Sequence, residues 1–256
     1  MADDDRPVLV TGGTGTLGRA LVHTLLDAGR PVRVLSRRDR TPAVPDEVQW
    51  QVGDLLTGEG LPQALAGVSV VIHCASNPRK PDEDLDAAVQ LMLACRAANV
   101  PHLVYISIVG VDAVPFGYYQ VKRRVEEIVE DGGIPWSILR ATQFHDFVAT
   151  LLGALAKGPV ALVPRGLRDQ PVDVREVAAR LATLAASGPA GRVEDLGGPQ
   201  VLTVDELMRT YLAAKGRHAR VWSFPALGPL KRFRDGGHLA PEHATGRLTF
   251  AEWLQH

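Results

Sequence analysis

Apolar and polar positions along this chain follow two alternating rhythms. Short apolar runs occur at Val8-Leu9-Val10, Val32-Arg33-Val34-Leu35, Val48 to Val52, Val68 to His73, His102 to Ser107 and Pro135 to Arg140. Each reads as a strand, and the stretches between them carry the wider spacing of amphipathic helices, at Leu17 to Ala28, Leu61 to Ala66, Asp84 to Ala98 and Tyr118 to Glu130. Strands alternating with helices predict an α/β fold, a doubly wound parallel sheet covered on both faces and joined by right-handed crossovers. After Arg140 the rhythm changes. A helix over Phe147 to Ala156, a proline- and glycine-rich stretch over Lys157 to Gly166 and a helix reaching about Ser187 precede a proline-rich tail from Pro199 to His256. Within that tail, Thr203-Val204-Asp205-Glu206 has the form of a helix-capping box. These pieces, mainly 141–171 and 199–256, predict a small C-terminal lobe on a single domain spanning 1–256.

The first strand runs into Thr11-Gly12-Gly13-Thr14-Gly15-Thr16-Leu17-Gly18 and then a helix, which is the strand–turn–helix that cradles a pyrophosphate. Glycines there permit a tight turn and close approach of the ligand, while free amides at the helix start face the anion. With the strand at Val32 completing a βαβ unit, the sheet is of Rossmann type and its guest is a dinucleotide. About 20 residues beyond such glycines, a carboxylate would hold the ribose of NAD. Here Ser36-Arg37-Arg38 stands instead, a hydroxyl and two guanidinium forks suited to a 2′-phosphate, so NADP(H) is preferred over NAD(H).

At the end of the fifth strand lies Ser107, and the following helix opens Tyr118-Tyr119-Gln120-Val121-Lys122. Tyr118 and Lys122 stand four apart on one helical face, so the ammonium can lower the phenol's pKa and let it exchange protons. Tyr119 is three from Lys122 and also its neighbour, so spacing alone leaves the choice between the two tyrosines open. Ser107 is suited to donate to a carbonyl oxygen while a nicotinamide supplies hydride.

With Gly53-Asp54-Leu55, Ser107-Ile108-Val109-Gly110-Val111-Asp112 and Arg140-Ala141-Thr142-Gln143-Phe144 added, the chain resembles atypical short-chain dehydrogenases/reductases of the NmrA-like, NAD(P)H-binding branch over nearly its whole length. The resemblance implies that Asp54 and Leu55 contact adenine. It places Cys74, Ala75 and Ser76 at the ribose and pyrophosphate, Lys122 at the nicotinamide ribose, and Ser107, Tyr118 and Lys122 in an active triad. Two departures stand out: Ala141 replaces the family's proline, and the serine-to-tyrosine interval, eleven residues, is short for the superfamily.

Gln143, Phe144, His145 and Phe147 are expected to wall the substrate pocket, with packing the stronger reading for His145. Trp222, Phe224 and Phe233 are expected in the core of the lobe. Together these features predict an NADP(H)-dependent oxidoreductase acting on a small carbonyl compound or its alcohol. A non-catalytic NADP(H)-binding redox sensor or regulatory protein is the alternative. A nucleotide-sugar epimerase is disfavoured by the arginines and by the short chain after Arg140.

Composition narrows the partners. The 256 residues are 46% hydrophobic and 22% charged, with a formal net charge of −1, so a full core is affordable and no basic tract marks nucleic acid or an anionic membrane. A monomer or homodimer is expected. The acidic opening Met1-Ala2-Asp3-Asp4-Asp5 is unlike a signal peptide, which predicts a cytoplasmic protein. Cys74 and Cys95 are expected as thiols without a disulfide, and the scattered histidines predict no metal site, with His23 packed on its helix.

Overall fold

The computed structural model describes residues 5–40, 44–226 and 233–256. In chain order, β1 (Val8–Thr11), α1 (Thr16–Asp27) and β2 (Val32–Ser36) form the expected βαβ unit, with Gly29 at φ 70° just beyond the end of α1. Then follow β3 (Gln49–Val52), α2 (Leu61–Leu65), β4 (Val70–His73), α3 (Pro81–Ala97), β5 (Leu103–Ile108), α4 (Gly117–Glu130) and β6 (Trp136–Ala141). The remainder holds α5 (His145–Leu155), β7 (Val160–Arg165), β8 (Arg168–Asp169), α6 (Val174–Ser187), β9 (Gly191–Arg192), β10 (Leu202–Thr203), α7 (Val204–Ala214), β11 (Arg220–Pro225) and a last turn of helix, Phe250–Trp253.

Seven strands make one parallel sheet in the order β3-β2-β1-β4-β5-β6-β9. The order reverses beside β1, so β2 and β4 diverge there and leave a crevice at the carboxyl ends of the strands. Helix α3 starts earlier than its apolar spacing predicts because Pro81 is preset for a first helical turn and Asp82, Glu83 and Asp84 complement the amide-rich helix end.

The chain divides into two compact units. The first comprises Met1–Ser107, Val121–Leu139 and Val177–Val193. Its core joins Leu9, Val71 and Leu103 of the sheet to Leu91 and Met92 of α3 and Val125 and Val129 of α4. The second comprises Ile108–Gln120, Arg140–Glu176 and Glu194–His256, so its first segment precedes the boundary at 141 read from the sequence. Its core packs Val148 and Leu152 of α5, Ala161 and Val163 of β7, and Leu207, Met208 and Leu212 of α7 around Phe250.

Three expectations need correction. The stretch over Lys157 to Gly166 contains β7, whose Ala161 and Val163 point inward while Leu162 points out; flanking glycines and prolines masked that alternation. Trp222 and Phe224 are not core, being 58% and 40% exposed, because among the described residues β11 pairs in parallel with β7 alone and presents them on its outer face. Phe233 does pack, against Phe116 and Tyr119. His23 lies on the exposed side of α1. Among the described residues no helix is long and apolar enough to cross a membrane, and no cluster of three metal-ligating side chains occurs.

Candidate functional site

The glycine turn follows directly from sterics. Gly12 has φ 68°, and a Cβ there would stand 2.7 Å from the Ala75 backbone, so this position both turns the chain and lets β1 approach β4's exit. At Gly18 a Cβ would meet the Gly12 carbonyl oxygen at 2.1 Å, which is why helix and turn can close on each other only through glycine. Gly15 is the N-cap of α1 and supplies no side-chain cap; its own N–H donates to the Gly12 carbonyl at 2.9 Å, which tightens the turn, and the exposed Thr16 opens a helix end whose first-turn amides lack a side-chain acceptor from the cap. Those amides and the positive helix end form a cradle that a pyrophosphate fits.

A cavity of about 500 Å³ in the first unit opens at this turn. Of the expected cofactor residues it is lined by Gly12, Thr14, Gly15, Ser36, Arg37, Arg38, Asp54, Leu55, Cys74, Ala75 and Ser76. Thr16, Leu17, Gly18 and Lys122 do not line it, since Leu17 and Gly18 are buried beneath the turn and Lys122 lies deeper. Arg38 donates its backbone N–H to Ser36 Oγ, which fixes the bend after β2, and its carbonyl accepts from Trp50 Nε1 at 2.9 Å. The Arg37 and Arg38 guanidiniums make no hydrogen bond or ion pair among the described residues.

Two lining carboxylates on α3 escaped the sequence reading. Asp84 accepts from Ser76 Oγ at 2.5 Å and from the Asn77 N–H at 2.7 Å, and so clamps the loop after β4. Glu83 accepts from Asn77 Nδ2 and Lys80 Nζ, and these bonds, with the field of Arg37, hold its carboxyl below the usual range. The Pro81-Asp82-Glu83-Asp84 run was their only signal, and it reads equally well as a solvated helix start.

Beneath the cavity sits a chain of polar groups. Thr11 Oγ1 accepts from the Ala75 N–H and stands 2.7 Å from His73 Nδ1. The His73 ring stacks on Tyr105 at 5.4 Å, and Lys122 Nζ lies 4.4 Å above Tyr105 while donating to the Ile106 carbonyl at 2.9 Å. Burial pulls the Lys122 amine down to about 8, with the carboxylate of Asp84 resisting. His73 is held neutral, down to about 3, by burial and then by the charge of Lys122. The Cys74 thiol is pushed up to about 12 by burial, so it is no nucleophile at neutral pH. Ser107, one residue past the carbonyl that receives Lys122, is buried with no hydrogen-bond partner for its Oγ among the described residues.

Tyr118 and Tyr119 open α4 and belong to the second unit. Tyr119 is buried against Phe233, its hydroxyl accepting from Gln143 Nε2 at 2.8 Å. Burial and the charge of Asp169 push its phenol above the ordinary value. Tyr118 is half-buried. Of the expected pocket wall, Gln143 is thus spent on Tyr119, and Phe144 is bridged through its backbone to Val172. His145 follows its stronger reading, packing, and Phe147 lies at the surface. His145 is fully buried between Phe250 and Trp253 with Nε2 on the Leu248 carbonyl, and Phe147 is 55% exposed on α5. The helix starts at His145, and its 3.6-residue turn sends the two rings to opposite environments.

The sequence pattern of a family described as NAD(P)H-binding matches residues 12–187. A (4-alkanoyl-5-oxo-2,5-dihydrofuran-3-yl)methyl phosphate reductase of Streptomyces griseus subsp. griseus is 34% identical over 224 residues, covering 83% of this chain and 75% of its own. An NAD(P)H azoreductase of Xenophilus azovorans is 29% identical, covering 83% and 75%. Among solved structures, the NADPH-dependent quinone oxidoreductase QOR2 of Escherichia coli, complexed with NADPH, superposes with a TM-score of 0.82 at 18% identity, over 96% of this chain and 98% of that one.

Proposed function

The chain belongs to the NAD(P)H-binding family, and on that premise we propose that it is an NADP(H)-dependent oxidoreductase acting on a small carbonyl compound. The observation that carries the reading is the uncapped glycine turn opening on a cavity whose far wall offers Arg37 and Arg38 where a carboxylate would select NAD. The reductases among its relatives support the same class of reaction. Gly12, Gly15 and the first amides of α1 would hold the pyrophosphate, and Ser36, Arg37 and Arg38 the 2′-phosphate. When bound, the cofactor supplies the hydride.

The remaining chemistry falls to the chain. Tyr118 is the proton donor: of the two candidate phenols it is the half-buried one, while Tyr119 is packed, bonded to Gln143 and pushed away from ionisation. Lys122, one helical turn further along α4, supplies the positive charge that favours a phenolate. Ser107 offers an uncommitted hydroxyl to the carbonyl oxygen. As the carbonyl carbon is reduced, its oxygen takes the Tyr118 proton.

A second reading, a non-catalytic NADP(H)-binding sensor, is favoured by one observation: the Lys122 amine is already engaged by the Ile106 carbonyl. The test separates the two. Tyr118→Phe is expected to lower kcat by at least about a hundredfold, the contribution of a positioned acid, while NADPH affinity stays within about twofold. NADPH oxidation would be followed across a panel of quinones, azo dyes and unsaturated lactones. A wild type that binds NADPH and reduces none of them supports the sensor instead.

A further inference from the structure

A second concavity lies wholly within the second unit, where the end of α7 meets the start of β11. It measures about 610 Å³, within the range of small-molecule sites, and Arg209, Arg217, His218, Arg220 and Trp222 wall it over the side chain of Leu212. No Asp or Glu among the described residues lines it. Arg209 is tied to Asp205 at 2.7 Å, but Arg217, His218 and Arg220 make no side-chain hydrogen bond or ion pair among the described residues. In a chain of net charge −1, the guanidiniums of Arg217 and Arg220, gathered without an ion-pair partner, repel each other. The negative end of α7 compensates only what lies within its last turn, and Arg220 stands beyond it on a strand. Because side chains alternate along β11, Arg220 and Trp222 share a face, and Trp222 shows 58% of its surface there.

We propose that this groove is a second ligand site, distinct from the dinucleotide cavity, for a small molecule that joins a planar aromatic ring to a phosphate. The ring stacks on Trp222, and the phosphate takes the guanidinium forks of Arg217 and Arg220, which match its geometry with paired hydrogen bonds. A bare anion would leave the indole exposed, and an uncharged ring would leave the arginines unpaired. Only a ligand with both parts answers both features.

Flavin mononucleotide is a suitable probe, its own fluorescence reporting stacking on an indole, with riboflavin and inorganic phosphate as its separated halves. Saturable quenching is expected with flavin mononucleotide, and affinity at least about tenfold weaker for riboflavin or for the variant R217A/R220A, the loss expected when a charge-assisted contact is removed. Trp222→Leu should abolish the quenching. Arg37→Ala should leave it unchanged, and the groove variants should bind NADPH as the wild type does, which keeps this result independent of turnover. Equal binding of riboflavin, loss of binding in Arg37→Ala, or no saturation at millimolar probe would each overturn the proposal, as would tighter binding of a DNA duplex at the same arginines.

Discussion

Arg37 carries a guanidinium that lines the dinucleotide cavity and makes no ion pair among the described residues, beside a bend fixed by Ser36. If it receives a 2′-phosphate, Arg37→Ala removes one charge-assisted contact of about 1.5–3 kcal/mol, or roughly ten- to a hundredfold in affinity. NADPH binding, measured by quenching of protein fluorescence, should weaken by that factor while NADH binding holds. Lys122 makes a different kind of prediction. Its amine is depressed from 10.5 to about 8, so at low pH both folded and unfolded chains keep the proton and burial of the charge is a cost. Between about 8 and 10.5 the unfolded chain holds more protons than the folded one, and stability from this group rises with pH. Urea midpoints across that window should climb more steeply in the wild type than in Lys122→Met. At this scale the sequence was legible where backbone geometry leaves one choice: a Cβ at Gly12 or Gly18 would collide with neighbouring backbone. It was silent on Glu83 and Asp84, whose roles arise from hydrogen bonds to Asn77 and Ser76 across a loop.

Elements were legible in proportion to their burial. The inner strands β1, β4, β5 and β6 read as apolar runs because they are buried, whereas β7 and β11 pair, among the described residues, only with each other and keep Leu162, Trp222 and Phe224 exposed, so neither pattern stood out. Helix α7 is the counter-example, short and peripheral yet readable from its first residues. Thr203 accepts from the Glu206 N–H, and Glu206 returns to the Thr203 N–H at 2.8 Å, completing the capping box. Thr203→Ala should cost about 1 kcal/mol in equilibrium unfolding, and Thr203→Ser should restore most of it. An unchanged midpoint in the alanine variant would mean that packing of Leu207, Met208 and Leu212 alone sets the helix's stability.

The division into units was not legible, because each unit is assembled from three separate segments and composition does not change at their joins. Every residue lining the dinucleotide cavity lies at or before Ala87, yet the first unit also contains Val177–Val193. That segment brings Val177, Ala178 and Leu181, all fully buried, and β9, the edge partner of β6. A chain ended after Glu176 retains every lining residue and leaves those neighbours' apolar surface uncovered. It should lose cooperative unfolding and NADPH binding together, as followed by circular dichroism and fluorescence. On the ribosome, the glycine turn of β1 and α1 therefore emerges early and waits. The 106 residues from 88 to 193, about two fifths of the chain, must be synthesised after the dinucleotide cavity's last wall residue before its supporting unit is complete. Throughout that interval the nascent sheet is exposed to chaperones and proteases, and it is Val177–Val193, which does not line the cavity, that ends it.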